Sequence, residues 1–393
     1  LRRRRFGALL AVLPPFLVYL FAAPRLSPYA DAKLLVALSP MAVFSVGIGV
    51  WWLSRRAVAV AVVAAVLIGG GVLFSDALAY HHVRVASVDR LLSLRDAAEH
   101  APHDRQWLLP EWEELAKYFA GDLPLNVGPE SYSPRPVEPR APGPIFGLSF
   151  DLDQLRLAYV ESWPGLMLRR SPLASAPPAN YARTYSNTYY ELWRRRSTPR
   201  VLEHLSLQGF AQGAGRPKCD EVRQLARRAG PGQRLVAAAR PILPEFDPAR
   251  SPTRPRSWGV APVPGLVIPQ SRAQASGRVR VPGGRYRVWV RGGGGRAISA
   301  VIDGREVGAR QQVNTPGQWL ALGDADLDPG MHAVAIVWPG ASLRPGNGFP
   351  GMIGPLVLEP QRRRTLVNVS PKRAPGVLCG RSWDWIERVT GKR

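Results

Sequence analysis

Residues with chemical potential are few and scattered in this chain. The six histidines show no spacing that would hold a metal ion, His81 and His82 being merely adjacent. A Gly-x-Ser-x-Gly elbow is absent, and "RGGGGR" at 291–296 falls between expected strands, where it reads as a flexible hairpin tip and not as a phosphate loop. No cofactor is therefore expected. The acidic residue placed most suggestively is Asp31 in "SPYADAKLL", at the outer mouth of two apolar runs, with Lys33 two positions on. It is either a catalytic candidate at a membrane edge or part of an interfacial cap in which Lys33 snorkels to the headgroups. Tyr286, Trp289, Trp319 and Trp338 lie on short alternating runs. Such rings stack on the apolar C–H face of a pyranose, and the same pattern serves packing between two sheets. Tyr286 and Trp289 are three apart and so face opposite sides of a strand. Trp319, just after the turn in "TPGQWLALG", is the expected exposed platform. Cys219 and Cys379, the only two cysteines, are expected to pair in an oxidising compartment, the alternative being two separate buried thiols. Closing so long a loop would stabilise the fold by roughly 4–5 kcal/mol on chain-entropy grounds.

The elements that must position these groups begin with a membrane region. Residues 6–23, 34–53 and 57–74 carry no charged side chain, and each is near the ~20 residues that cross ~30 Å of hydrocarbon. Three spans are expected, with a cleaved export signal as the alternative for the first, given "LRRRR" ahead of it and "LFAAP" behind. Arg55 and Arg56 form the tight turn between the second and third spans. With the arginines at 2–5 they place the N-terminus and this turn inside by the positive-inside rule. Loop 24–33 and everything from 75 to 393 are then extracytoplasmic, and Lys33, Arg55 and Arg56 sit at the membrane interface. Pro14, Pro15 and Pro40 within the spans need hydroxyls or neighbouring helices to satisfy the carbonyls they free.

The formal charge is +23, and only five of the 52 basic residues are lysine, a bias expected of a GC-rich genome. The arginines are dispersed among prolines and strands instead of forming a stripe, and an external location denies access to nucleic acid, so no nucleic-acid partner is expected. Anionic lipid headgroups or acidic envelope polymers are the expected use of the charge.

Beyond the membrane two proline-rich breaks divide the chain, seven prolines in 124–144 and eight in 241–269. Helical spacing at 88–101 and 111–122, a short strand in "RQWLLP", strands in "LRLAYVESWPGLMLRR" and "ARTYSNTYYELWRR", the helix "CDEVRQLARRAG" and the strand "RLVAAARP" predict an α/β domain over 75–240 that contains the first break as a loop. A linker follows over 241–270. Alternating runs over 271–360, bounded by Gly, Pro or Asp, predict a β-sandwich of jelly-roll type, with "IDGREV" as a tight hairpin. The tail 361–393 is expected to pack back on the external part, "LCGRSWDWIE" as a terminal helix.

The order of apolar spans, the loop "SPYADAKLLVALSP", "SDALAYHHV", "SPLASAPPANYARTYSNTYYELWRR" and the closing "CGRSWDWIE" together resemble the C-terminal half of large actinobacterial membrane proteins of the GT-C glycosyltransferase type. The resemblance implies a polyprenyl-phosphate sugar donor and an envelope polysaccharide acceptor. It also implies an acidic residue acting as catalytic base in the first external loop of the whole protein, which would lie upstream of this chain, so no catalytic position is carried over. The chain opens at Leu1 inside what reads as a cytoplasmic basic loop and is expected to be part of a longer polytopic protein. Three functions follow as expectations: part of a lipid-linked sugar transferase, a membrane-anchored glycan-binding or envelope-assembly protein, or a structural domain without ligand.

Overall fold

The computed structural model describes residues 5–22, 28–82, 86–207, 215–312, 318–340, 351–361 and 365–390. They form two compact units, Leu1–His82 and Val83–Arg393.

In the first unit, Arg5–Ala22 (α1), Pro28–Ser54 (α2) and Val58–His82 (α3) are helices, with α1 against α2 and α2 against α3. Two stretches, Lys33–Ser54 and Val58–His81, are long and apolar enough to cross a membrane. Their apolar side chains face outward on every side: Val36, Val43, Leu67 and Leu73 are each 70–72% exposed, whereas a soluble helix hides one apolar stripe. Three spans are expected from the sequence, and among the described residues two helices qualify. The first expected segment forms α1, whose 18 residues start at Arg5 and sit at the short end of what a bilayer needs. Pro40 lies inside α2 and brings no N–H to the carbonyl of Val36. Ser39 Oγ donates to that carbonyl at 3.0 Å, so the helix continues. The turn between α2 and α3 closes with Arg56 N donating to Leu53 O at 2.9 Å. Arg55 lies 4.8 Å from the ring centre of Trp51 and Arg56 3.9 Å from that of Trp52, cation–π contacts that suit an interfacial belt. Asp31 falls within α2, and Lys33 is exposed on it.

The second unit opens with helix Val88–Glu99 (α4), which buries Leu91, Leu94, Ala97 and Ala98. Strands Trp107–Leu109 (β1), Leu125–Val127 (β2), Gly165–Arg169 (β3), Tyr181–Ser186 (β4) and Tyr190–Arg195 (β5) make a sheet in the order β2-β1-β3-β5-β4. Its first three strands are parallel and the rest antiparallel. Gly165 lies opposite Trp107 in that register, where a Cβ would come within 2.6 Å of the indole. The helix expected over 111–122 shortens to Ala116–Ala120 (α5), because Glu111 and Glu113 ahead of it are drawn into ion pairs with Arg90. "LRLAYVE", expected as strand, forms helix Leu157–Glu161 (α6). It buries Tyr159 and Val160, with Trp163 beyond its end.

Strands Arg200–Ser206 (β6) and Gln233–Ala239 (β7) flank helix Cys219–Arg227 (α7). Then come Glu245–Phe246 (β8), Trp258–Val260 (β9), Val267–Pro269 (β10), Ala273–Val281 (β11), Gly284–Ile302 (β12), Arg305–Gln312 (β13), Trp319–Leu327 (β14), Gly330–Trp338 (β15) and Met352–Pro360 (β16). Thr365–Val369 (β17), helix Ala374–Leu378 (α8) and Trp385–Thr390 (β18) end the described chain.

Strands β8 to β16 make the sandwich, in the order β11-β15-β12-β16-β10-β9, with β13 and β14 also on β12 and β8 on β16. Three expectations change here. "RGGGGR" is no hairpin tip; it lies within the 19-residue β12. Residues 284–293 of that strand pair with β14 and β16, and residues 294–302 with β13 and β15. The strand turns the corner between these sets at its glycines, where backbones approach closely: at Gly292, φ is +98° and a Cβ would stand 1.9 Å from the carbonyl of Met352. The 241–270 linker is part of the domain: β8 and β9 are short edge strands, where proline is tolerated nearby, β10 lies between β9 and β16, and Phe246 and Trp258 enter the core. The hairpin at "IDGREV" forms as expected, with φ of 49° at Asp303 and 80° at Gly304.

The expected α/β domain over 75–240 does not close on itself. Its last strands join the tail in a separate sheet, β17-β7-β18-β6. "LCGRSWDWIE", expected as helix, leads instead into strand β18 from Trp385, whose apolar residues split across two faces: Trp385 and Val389 pack on one side, Ile386 on the other. Cys219 at the start of α7 and Cys379 just after α8 form a disulfide, Cα–Cα 5.4 Å.

Candidate functional site

The carboxyl ends of two adjacent parallel strands, β1 and β3, deliver the polar groups of one cavity. In open sheets this is where crevices form. After β1 come Pro110, Glu111 and Trp112; at the end of β3 stand Arg169 and then Ser171. With 147–152, Ala174, Ser175, Gln318 and Trp319 they line about 350 Å³. Glu111 accepts from Arg169 Nη1 at 2.6 Å and from Tyr190 Oη at 3.0 Å, and Arg90 stands 3.3 Å away. Arg169 Nη2 also donates to the carbonyl of Trp319 at 3.3 Å, which ties the sheet to β14. Asp151 accepts from the backbone N–H of Asp153 at 3.0 Å and of Ser175 at 2.9 Å. Burial pushes its carboxyl above the ordinary range, against the pull of the Ser175 hydrogen bonds. Trp112, half-buried, and Phe150 supply aromatic surface beside these groups.

A second cavity of about 510 Å³ shares the wall 168–175 and continues along Arg170, Pro177, Arg183, Glu191, Trp193, Arg287 and Glu359. Serine, proline and alanine in "SPLASAPPAN" form neither helix nor strand, so this wall is held from outside. Arg240 donates to the carbonyls of Pro172 (3.3 Å) and Ala174 (2.8 Å) and pairs with Asp384 at 2.6 Å. Asp384 accepts from Ala176 N at 3.1 Å, Glu387 from Ala179 N at 2.9 Å, and Trp385 Nε1 donates to Ala176 O at 2.7 Å. His204 bridges Asp153 (2.7 Å) and Glu387 (2.8 Å). Burial works to lower its pKa, but hydrogen bonds to Asp153 and Glu387 outweigh it and push it up to about 9. Each buried carboxylate thus fixes a backbone amide of the wall or the histidine beside it.

Of the four aromatic residues expected to bind, Trp319 borders the first cavity but is no exposed platform, with 5% of its surface accessible. Tyr286 and Trp338 belong to the sandwich core. Trp289 does point the other way from Tyr286, yet it also is buried: the outer face of β12 packs on Trp107, Tyr189 and Tyr190 from the five-stranded sheet. A strand read alone has one wet face; at Trp289 this one has none. Among the described residues no group of three His, Cys, Asp or Glu could hold a metal ion. Sequence reasoning missed Trp112 and Glu111, absorbed into an expected helix, and Asp151, Arg169 and Trp193. The available signal was "SPLASAPPAN", an uncharged run too rich in proline for a regular element.

No protein-family model matches the chain, and no curated protein matches it. Among solved structures, a Podospora anserina GH26-CBM35 β-(1,4)-mannanase superposes with TM-score 0.25 and 12% identity, over 31% of this chain and 28% of that one. The CBM36-1 domain of a multidomain xylanase from the hindgut metagenome of Trinervitermes trinervoides gives TM-score 0.26 and 12% identity, over 31% of this chain and 100% of that one. The PA14 sugar-binding domain from an RTX adhesin gives 0.18 and 12%, over 42% and 92%. Superpositions this loose carry no statement about what the chain binds.

Proposed function

We propose that this chain is a membrane-anchored protein that holds an envelope polysaccharide in the cleft along 168–177. The carrying observation is the lining of the first cavity. Aromatic and proline surface from Pro110, Trp112 and Phe150 stands beside Glu111, Asp151, Arg169 and Gln318. Saccharides ask for that combination, apolar faces for ring C–H groups and charged hydrogen-bonding groups for hydroxyls. In this reading α2 and α3 cross the membrane with Arg55 and Arg56 inside, α1 adds a third crossing, and the second unit is extracytoplasmic. Titrating the full chain in a neutral polyoxyethylene detergent with arabinan and galactan oligosaccharides, followed by tryptophan fluorescence, tests it. Saturable quenching that Trp112→Ala removes is expected; no change at millimolar oligosaccharide overturns it.

A second reading makes the chain the C-terminal portion of a GT-C-type transferase that uses a polyprenyl-phosphate sugar. It is favoured by where two of the resembling segments meet: "SPLASAPPAN" forms the cleft wall, and Asp384, Trp385 and Glu387 of "CGRSWDWIE" hold it. Transfer of labelled sugar from a polyprenyl-phosphate donor by the full-length gene product, and none by this chain alone, is the expected result.

A further inference from the structure

We infer that the second cavity is an oxyanion subsite, built to hold a phosphoryl or carboxylate group carried by a saccharide. Its walls bring four guanidinium groups, Arg169, Arg170, Arg183 and Arg287, against two carboxylates, Glu191 and Glu359. The four cations are not equally engaged. Arg169 is committed to Glu111 at 2.6 Å. Arg183 pairs with Glu191 at 2.8 Å, and Arg287 with Asp324 at 2.9 Å, a residue outside the lining. Arg170, four-fifths buried, stands 3.6 Å from Glu191 and 3.8 Å from Glu359, both longer than a hydrogen bond. One edge of its fork is anchored by Nη1 donating to the carbonyl of Asn187 at 2.7 Å. Burial opposes its charge, and Arg287 and Arg183 add like-charge repulsion. A guanidinium fork that is fixed in place, and that stands beyond hydrogen-bond distance of its carboxylates while the three arginines around it are closely paired, is matched by a planar or tetrahedral oxyanion. A neutral sugar would leave the Arg170 fork without a hydrogen-bonded carboxylate or phosphoryl partner. Trp193 in the same wall adds an indole for the attached ring, its Nε1 fixed on Glu191 at 2.9 Å.

The inference rests on this cavity's own charge and does not require neutral-glycan binding in the cavity next to it. The full chain, in a neutral polyoxyethylene detergent at low salt, is titrated with glucose 6-phosphate, glucuronate, inorganic phosphate and glucose. We expect the two anionic sugars to bind at least ~10-fold more tightly than glucose or inorganic phosphate, the size of effect one charge-assisted hydrogen bond supplies. Arg287→Gln and Arg170→Lys should each weaken them about 10-fold, and Glu359→Gln should tighten them. Arg183→Gln, at a more exposed arginine, repeats the test without disturbing a buried group. Arg280→Gln removes the same charge from the exposed face of β11 and should change nothing. Equal weakening by Arg280→Gln reduces the effect to bulk charge and overturns the subsite, as does inorganic phosphate binding as tightly as the sugar phosphate. Neutral oligosaccharide binding with no preference for anionic sugars sinks this inference alone; preference for anionic sugars without neutral binding sinks only the reading of the first cavity.

Discussion

The sandwich and the four-stranded sheet are held together by opposite means. Between the sandwich faces lie aliphatic and aromatic side chains, Tyr286, Val288, Val290, Ile336, Trp338 and Leu356 among them, with a non-directional attraction that grows with buried apolar area. The four-stranded sheet has only small apolar clusters on its two sides. It adds a disulfide and the buried charges of Arg240, Asp384, His204 and Glu387. A small core needs such staples, but ionic ones gain little net stability because desolvation consumes most of the attraction. What they add is direction: Arg240, Asp384 and Glu387 each bond a backbone group of 172–179, and His204 holds Glu387 in place. The sandwich supplies bulk, and the small sheet supplies registration of the site.

The largest expected effect tests the staple. Replacing Cys219 and Cys379 by alanine should lower stability by roughly 5 kcal/mol, the chain-entropy value for a loop closed across a sequence separation of 160. Chemical denaturation of oxidised and cysteine-free protein measures it, and equal midpoints would break the contrast. Asp384→Ala takes the carboxylate from the buried Arg240, leaving its charge on backbone carbonyls, and should cost about 3–5 kcal/mol. Asp384→Asn, which keeps an acceptor for Ala176 N–H, should separate loss of charge from loss of shape. On the apolar side, Trp289→Ala should cost about 3–4 kcal/mol through the cavity it leaves between sheets. The same chemical denaturation measures it, and a cost under 1 kcal/mol would break the apolar half of the contrast.

His204 supplies the pH test. Its folded pKa, about 9, is above its unfolded value near 6.5. Its contribution is therefore complete below about pH 6.5 and is lost as pH rises through about 9, a loss on the order of 3 kcal/mol at one pKa unit per 1.36 kcal/mol. Denaturation midpoints from pH 6 to 10 should fall in the wild type and run flatter in His204→Gln; a wild-type profile as flat as the variant's would remove His204 from the account. The smallest expected effect is at the ligand: Trp112→Ala should weaken oligosaccharide binding by about 1 kcal/mol, near fivefold, with unchanged stability.

Local rules were sufficient for the apolar helices, which need only length and the absence of charge. They were sufficient also for the hairpin at Asp303–Gly304, where two positive φ angles select the residues, and for most sandwich strands, where alternation has period two. The cysteine pairing followed from there being only two. Tertiary structure alone decided the rest. The tail became strand from Trp385 because both faces of its sheet are covered, and "RGGGGR" bends within a strand because a neighbouring backbone passes at Met352. Trp319 lost its expected exposure, and neither Tyr286 nor Trp289 took the open face expected of one of them, because another sheet lies on the face that Trp289 and Trp319 occupy. The cleft was illegible for the same reason: Glu111, Arg169, Arg287, Glu359 and Asp384 come from distant parts of the chain, and only the packing of three sheets brings their charges to one wall. A strand's own sequence specifies that it has two faces; what covers each face is a property of its neighbours.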